Sequence, residues 1–417
     1  MDWIHVAQCI DDVCGGHDRA VSRRAFKRIG ETFLVFLRLG CFSFGGPVAH
    51  LGYFQEAFVT RRRWITQERF ADLVALSHFL PGPSSSQVGY AIGVERAGII
   101  GGLAAWIGFT LPSALMMYAV SMTVLYPGEL SNAGWLQGLK AAAVAVVALA
   151  AMQMFVMLAP DLRRKTIVVA AGLLAFLLRN TISQAWVLLI GAAAGLFVLP
   201  REAPMELEPS HCTNTISKRA AVIALALFVA SLLVTWTPWA LFAQCGSLVF
   251  GGGHVVLPLL ETRFVLTDLV DENTFLAGYG VAQAIPGPLF TFATFLGATS
   301  TLPVSPTFGA CVATVAIFIP GLLLMTAALP FWETLKHRAW ARGMLSGVNA
   351  AVVGLLFAAL IGSIAPALVI RPFGSIVIGP TTIMMLLYLA AFALLRRKSI
   401  PVPAIVALCA LVGWLLL

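Results

Sequence analysis

The sequence predicts an all-α integral membrane protein made of two homologous halves with inverted topology, whose helices are broken and re-entrant at matching places. Three observations carry that expectation. The chain is 59% hydrophobic and 11% charged, with a mean hydropathy of +0.90, which is more apolar surface than one soluble core of 417 residues can hide. Two helix-breaking motifs, Phe44-Gly45-Gly46-Pro47 and Pro81-Gly82-Pro83, return as Phe250-Gly251-Gly252-Gly253-His254 and Pro286-Gly287-Pro288, 206 and 205 residues further on. Equivalent loops of the two halves carry opposite charge.

Residues 1–23 form a polar segment with Cys9, Asp11, Asp12, Cys14 and His17, and lack the apolar stretch of a cleavable signal peptide. Arg23, Arg24, Lys27 and Arg28 follow, so the segment is expected in the cytoplasm. Cys9, Cys14 and His17 fall short of the four ligands of a structural zinc site. The seven cysteines show no pairing pattern. Neither a metal, a cofactor nor a catalytic residue is therefore predicted.

Residues 24–199 form the first repeat, with apolar runs at Trp135–Ala159, Thr166–Leu178 and Val187–Leu199 that approach or reach the ~20 residues needed to span hydrocarbon. Residues 200–219 are a polar linker containing Pro204, Pro209, Glu202, Glu206 and Glu208. Residues 220–417 form the second repeat. Ile65–Pro83 aligns with Val270–Pro288, and Gly138-Leu139-Lys140-Ala141-Ala142 with Gly347-Val348-Asn349-Ala350-Ala351. The second repeat opens with one extra apolar span, Ala220–Trp236, before a shorter piece leads into its glycine break.

That extra span supplies the odd crossing which inversion requires. Arg61, Arg62, Arg63 and Arg69 correspond to Asp268, Asp271 and Glu272, while the Lys-free loop at 127–132 corresponds to one with Lys336, Arg338 and Arg342. Positive charge stays inside, so the halves are expected upside down relative to each other, with the N-terminus cytoplasmic and the C-terminus outside. The net charge of +8 lies mainly in these short clusters. It marks orientation rather than a nucleic-acid partner.

The chain has no phosphate loop and no dinucleotide fingerprint, so ATP-driven pumping by this chain alone is not expected. The breaks are the candidate site. Pro81-Gly82-Pro83 ends one helix and starts another, whose orphan N–H groups lie beside Ser84, Ser85, Ser86 and Gln87, an arrangement suited to a small anion. The bland alternative is that the serines bond back to their own helix. Pro286, Gly287 and Pro288 lead into Thr291 in the second copy. Gly45, Gly46, Pro47, Gly251, Gly252 and Gly253 allow unwound backbone and close approach. His254 beside them can hydrogen-bond an oxyanion or titrate. Arg38 and Lys140 are the candidate counter-charges, with snorkelling as the alternative for Lys140. Glu31, Glu56, Asp72 and His78 are candidates for proton coupling or for ion pairs with nearby arginines.

With its paired glycine and Pro-Gly-Pro motifs, length and duplicated layout, the chain resembles the chromate ion transporter family in its long, two-domain form. The resemblance covers nearly the whole chain. It implies a multi-pass protein of the bacterial inner membrane, with a periplasmic C-terminus, that exports chromate and confers resistance. The substrate it implies is chromate, a tetrahedral dianion like sulfate, taken by a secondary carrier working in the lipid bilayer; a homodimer is compatible with it. The same build suits a carrier of sulfate or another oxyanion, or an anion channel. Pro288-Leu289-Phe290 replaces Pro83-Ser84-Ser85, so the first half is expected to do more of the binding.

Overall fold

The structure, a computed structural model, describes residues 26–125, 134–178, 181–199, 216–234, 237, 239–250, 256–332, 338–368, 380–397 and 400–416. Gly251, Gly252, Gly253 and His254, the linker over 200–215, and Cys9, Cys14 and His17 lie outside these residues.

The described chain is helical throughout, because backbone groups in hydrocarbon must be satisfied within their own segment. The first half comprises α1 (26–42), α2 (Gly46–Phe54, continued by a π-turn Gln55–Arg61), α3 (Gln67–Phe79), α4 (Ser84–Leu125), α5 (Gly134–Leu158), α6 (Leu162–Leu178) and α7 (Thr181–Phe197). After α8 (Lys218–Leu233), the extra helix, come α9 (Trp239–Leu248), α10 (Val256–Phe264), α11 (Glu272–Ala284), a 3-10 turn Leu289–Thr291 and α12 (Phe292–Thr299). The chain ends with α13 (Pro306–Ala328), α14 (Ala339–Leu368), α15 (Pro380–Arg397) and α16 (Val402–Leu416). Four helices among the described residues are long and apolar enough to cross a membrane, namely Ser84–Leu125, Gln137–Leu158, Pro306–Phe331 and Gly343–Ile361. They form two repeat-related pairs. Outward-facing Val156, Leu177, Leu189, Val222 and Leu386 are exposed, as a lipid-facing surface allows and an aqueous one resists.

The duplication reaches individual atoms. Thr66 caps α3 by accepting from the Arg69 amide, and Asp271 caps α11 by accepting from that of Thr274. Arg63 and Asp268, 205 residues apart, are the two non-glycine residues with positive φ among the described residues, at 51° and 56°. Phe36 stacks on Phe58 at 4.8 Å, and the equivalent pair, Phe242 and Phe264, meets at 4.6 Å with the rings tilted.

The halves are also interlocked. α5 packs on α15 and α16 of the other half, and α14 packs on α6 and α7. Glycines bring the helix backbones together in both places, Gly138 against Cys409 and Gly347 against Gly191 and Gly195. Each half therefore completes its bundle with a helix from the other, as a pseudo-two-fold relation requires. α4 differs from its counterpart in one respect. It leaves helical backbone only at Ala97 and Gly98 before turning back on itself, whereas the second half makes the same turn through the longer connection between α12 and α13.

Candidate functional site

Among the described residues the first half contributes two breaks and the second its Pro-Gly-Pro break, and each Pro-Gly-Pro tip bonds to the other half. At the first, Gly45 with φ 98° caps α2, Gly46 has φ 75°, and Pro47 sits in the first turn, where its missing N–H is no loss. At the second, Leu80 turns extended and Gly82 takes φ 128° before α4 begins at Ser84. Ile285 and Gly287, with φ 99°, repeat this geometry. The Gly82 amide donates to the carbonyl of Val249, just before the other half's glycine break, at 2.7 Å. The Gly287 amide donates to the equivalent carbonyl, that of Ser43, at 2.9 Å.

Around this crossing the first half supplies polar groups. Ser84, Ser85, Ser86 and Gln87, the predicted helix head, are all buried. Gln87 Nε2 donates to Pro81 O at 2.9 Å and to Gly321 O at 3.1 Å, so it bridges to α13 of the second half. His50, on α2, sits 3.2 Å from Ser85 Oγ through Nδ1 and 3.2 Å from Ser43 O through Nε2, with its ring edge-on to Phe109 at 5.2 Å. No described residue engages the buried Ser43 Oγ, Ser86 Oγ or Thr110 Oγ1. Leaving a buried hydroxyl unpaired costs about 1–3 kcal/mol. Ser43 lies at the glycine break and Ser86 in the first turn of α4, so two of the three flank the crossing.

The second copy is poorer. Its helix starts as a 3-10 turn, Thr291 Oγ1 donates back to Pro288 O at 2.8 Å, and Thr294 pairs with Thr314 at 2.7 Å. Phe290 and Phe292 occupy the places of the serine and glutamine side chains, packed on Phe318 and Phe275. The polar lining thus falls on the first half.

Of the predicted site residues, Gly45, Gly46, Pro47, Pro81, Gly82, Pro83, Ser84 to Gln87, Pro286, Gly287, Pro288 and Thr291 lie on the segments that make this crossing. Arg38 is exposed on α1. Lys140 is buried but donates to Asn273 Oδ1 at 2.7 Å and Gln137 Oε1 at 3.2 Å. Asn273 stands at the start of α11, roughly 17 Å along that helix from its Pro-Gly-Pro end. Glu31 pairs with Arg96 at 3.1 Å and Glu56 with Arg61 at 2.7 Å, Asp72 is buried, and His78 is exposed. His50 was not anticipated. Its repeat counterpart is Val256, so the duplication does not flag it; the available signal was a histidine one turn inside a helix that opens on a break.

These features define a polytopic helical membrane protein of internally duplicated build, with a buried polar crossing of helix breaks at its centre. The family model for chromate transporters matches residues 30–196 and again 236–414, and the chain belongs to that family. It is 31% identical to a chromate transport protein of Cupriavidus metallidurans over 92% of both chains. It is 28% identical to a probable chromate transport protein of Synechococcus elongatus over 91% of this chain and 93% of that one. A chromate transport protein of Pseudomonas aeruginosa is 27% identical over 92% of each. No solved structure matches.

Proposed function

We propose that the chain is a secondary transporter that carries chromate out of the cytoplasm across a bacterial inner membrane and so confers chromate resistance. The observation that carries this reading is the head of α4, where Ser84, Ser85 and Ser86 are buried beside the first-turn amides and Ser86 Oγ is engaged by no described residue. A helix N-terminus carries a partial positive charge and unpaired donors, and hydroxyls add directional donors, so the head favours a compact anion in a site of low dielectric. The relatives' names supply chromate as that anion.

In this reading the N-terminus and the arginine-rich loop after α2 face the cytoplasm, and α16 ends in the periplasm. The two tips, entering from opposite sides, meet near the midplane, and the halves rock about their crossing. Export of a dianion from a cell that is negative inside is electrically downhill by about 2.3 kcal/mol per charge per 100 mV. Ion coupling is therefore not required for efflux.

Sulfate, with the same shape and charge, is the second reading. Purified protein in proteoliposomes tests both by counterflow: preloaded chromate accelerates entry of labelled chromate, with saturation, if the protein is a carrier. Linear, unsaturated flux points to a channel. Sulfate that outcompetes chromate moves the assignment to sulfate, and no flux of either sinks the transport reading.

A further inference from the structure

We propose that His50 is a positioning residue that couples oxyanion binding to proton uptake, by reversing the direction in which Ser85 presents its hydroxyl. The inference rests on the transporter reading above and assigns a proton-linked element to its site.

The hydrogen bonds of the ring determine its neutral tautomer. Nε2 faces the carbonyl oxygen of Ser43 at 3.2 Å, and a carbonyl oxygen only accepts, so Nε2 carries the hydrogen. In a neutral imidazole Nδ1 then holds a lone pair. Ser85 Oγ, 3.2 Å away, must donate to it. In that state Ser85 offers its remaining lone pairs to the α4 head, where they repel an oxyanion.

A proton arriving from solvent binds Nδ1 and inverts this arrangement. Nδ1–H now donates to Ser85 Oγ, and the serine keeps its own hydrogen, which is free to turn to the bound oxyanion. One N–H bond forms as an O–H bond of the solvent proton donor breaks, and the hydrogen bond from Ser85 Oγ to Nδ1 is replaced by one in the opposite direction. A repelling acceptor becomes an attracting donor, and the imidazolium adds a positive charge one residue away in the chain of hydrogen bonds. The Ser43 carbonyl also accepts from Gly287 at 2.9 Å, so the state of the ring bears directly on a bond that joins the halves.

Other titratable groups do not take this role. On the helices around His50, Arg38 and Cys41 of α1, Tyr53 of α2 and His78 of α3 are exposed, and the buried Asp72 of α3 is not among the partners of the ring. Tyr90 of α4 is bonded to Thr326 at 2.8 Å. Glu31, Glu56 and Glu95 are in ion pairs with Arg96, Arg61 and Arg69. The ring itself is 1% exposed, and its recorded neighbours, Ser43, Ser85 and Phe109, carry no charge.

The test is the pH dependence of the chromate KM in proteoliposomes for the native protein, His50→Gln and Ser85→Ala. Glutamine donates to Ser43 through its amide nitrogen and accepts from Ser85 through its oxygen, so it fills the place of the neutral ring and cannot be protonated. Chromate takes up a proton of its own in this pH range, which affects all variants alike, so the ratio of variant to native KM isolates the ring. We expect H50Q and native KM to coincide at neutral and alkaline pH and to separate progressively as the pH falls toward about 4, by roughly tenfold or more. S85A should lose most of that pH-dependent gain although its histidine is intact, which also covers a failure of H50Q to fold. Equal pH profiles in the native protein and either variant overturn the inference and leave the transporter reading standing. Absence of chromate flux in the native protein at every pH overturns both.

Discussion

Gly82 donates its amide hydrogen to the carbonyl of Val249 at 2.7 Å, and its counterpart Gly287 makes the equivalent bond to Ser43 at 2.9 Å. Each Pro-Gly-Pro tip is thus held on the lip of the other half's glycine break. A movement of one half against the other, as the proposed transport cycle requires, must stretch or exchange these bonds.

The two glycines differ in what surrounds them. A Cβ at Gly82 would lie 2.9 Å from Gln87 Nε2 and 3.0 Å from the backbone of Gly321, at φ 128°. At Gly287 the obstacle is the Ser113 side chain, 2.8 Å away, at φ 99°. Positive φ costs an L-residue about 1–3 kcal/mol in either place. Gly82→Ala should therefore lower thermal stability in detergent more than Gly287→Ala, because Gly321 has no side chain to swing aside; unfolding midpoints of both variants check the order.

Ser86 Oγ has no partner among the described residues, so Ser86→Ala removes no protein hydrogen bond there. Its unfolding midpoint should match the native one. If the hydroxyl donates to the oxyanion, losing a charge-assisted bond of about 1.5–3 kcal/mol raises the chromate KM by roughly 10- to 100-fold. An unchanged KM would place the substrate away from the first turn of α4.

Lys140 has the opposite profile. Its ammonium is bonded to Asn273 and Gln137, and the acidic pair Asp271 and Glu272 acts on it at the start of α11. Lys140→Met should leave the chromate KM within about twofold while changing stability, since a buried cation and its acceptors are disturbed. A large rise in KM would restore it as a counter-charge.

Gln87 ties the α4 head to α13 through Gly321 O, and its counterpart Phe292 makes an aromatic contact instead. Gln87→Leu keeps the volume and leaves the buried carbonyl of Gly321 and the part-buried one of Pro81 without that donor. A loss of about 1–3 kcal/mol is expected, read as a lower unfolding midpoint.

The glycine and Pro-Gly-Pro breaks, the repeat, and the polar imbalance between Ser84–Gln87 and Leu289–Phe292 were legible in the sequence because each is a local pattern repeated at a fixed offset. The exchange of α5 and α14 between halves was not, since packing partners separated by two hundred residues leave no local mark. The role of Lys140 was left open for a related reason: a buried cation in an apolar run looks the same whether it meets a ligand or an asparagine from another helix. His50 went unnoticed because its counterpart is a valine, and the bonds to Ser43 and Ser85 that single it out exist only in three dimensions.

The most direct test of the central claim is chromate accumulation in everted membrane vesicles energised to be positive inside, where export from the cell reads as uptake. Saturable accumulation that collapses when the potential is dissipated is expected, with a KM roughly 10- to 100-fold higher for Ser86→Ala. Uptake no greater than in vesicles lacking the protein, with or without a potential, would contradict it.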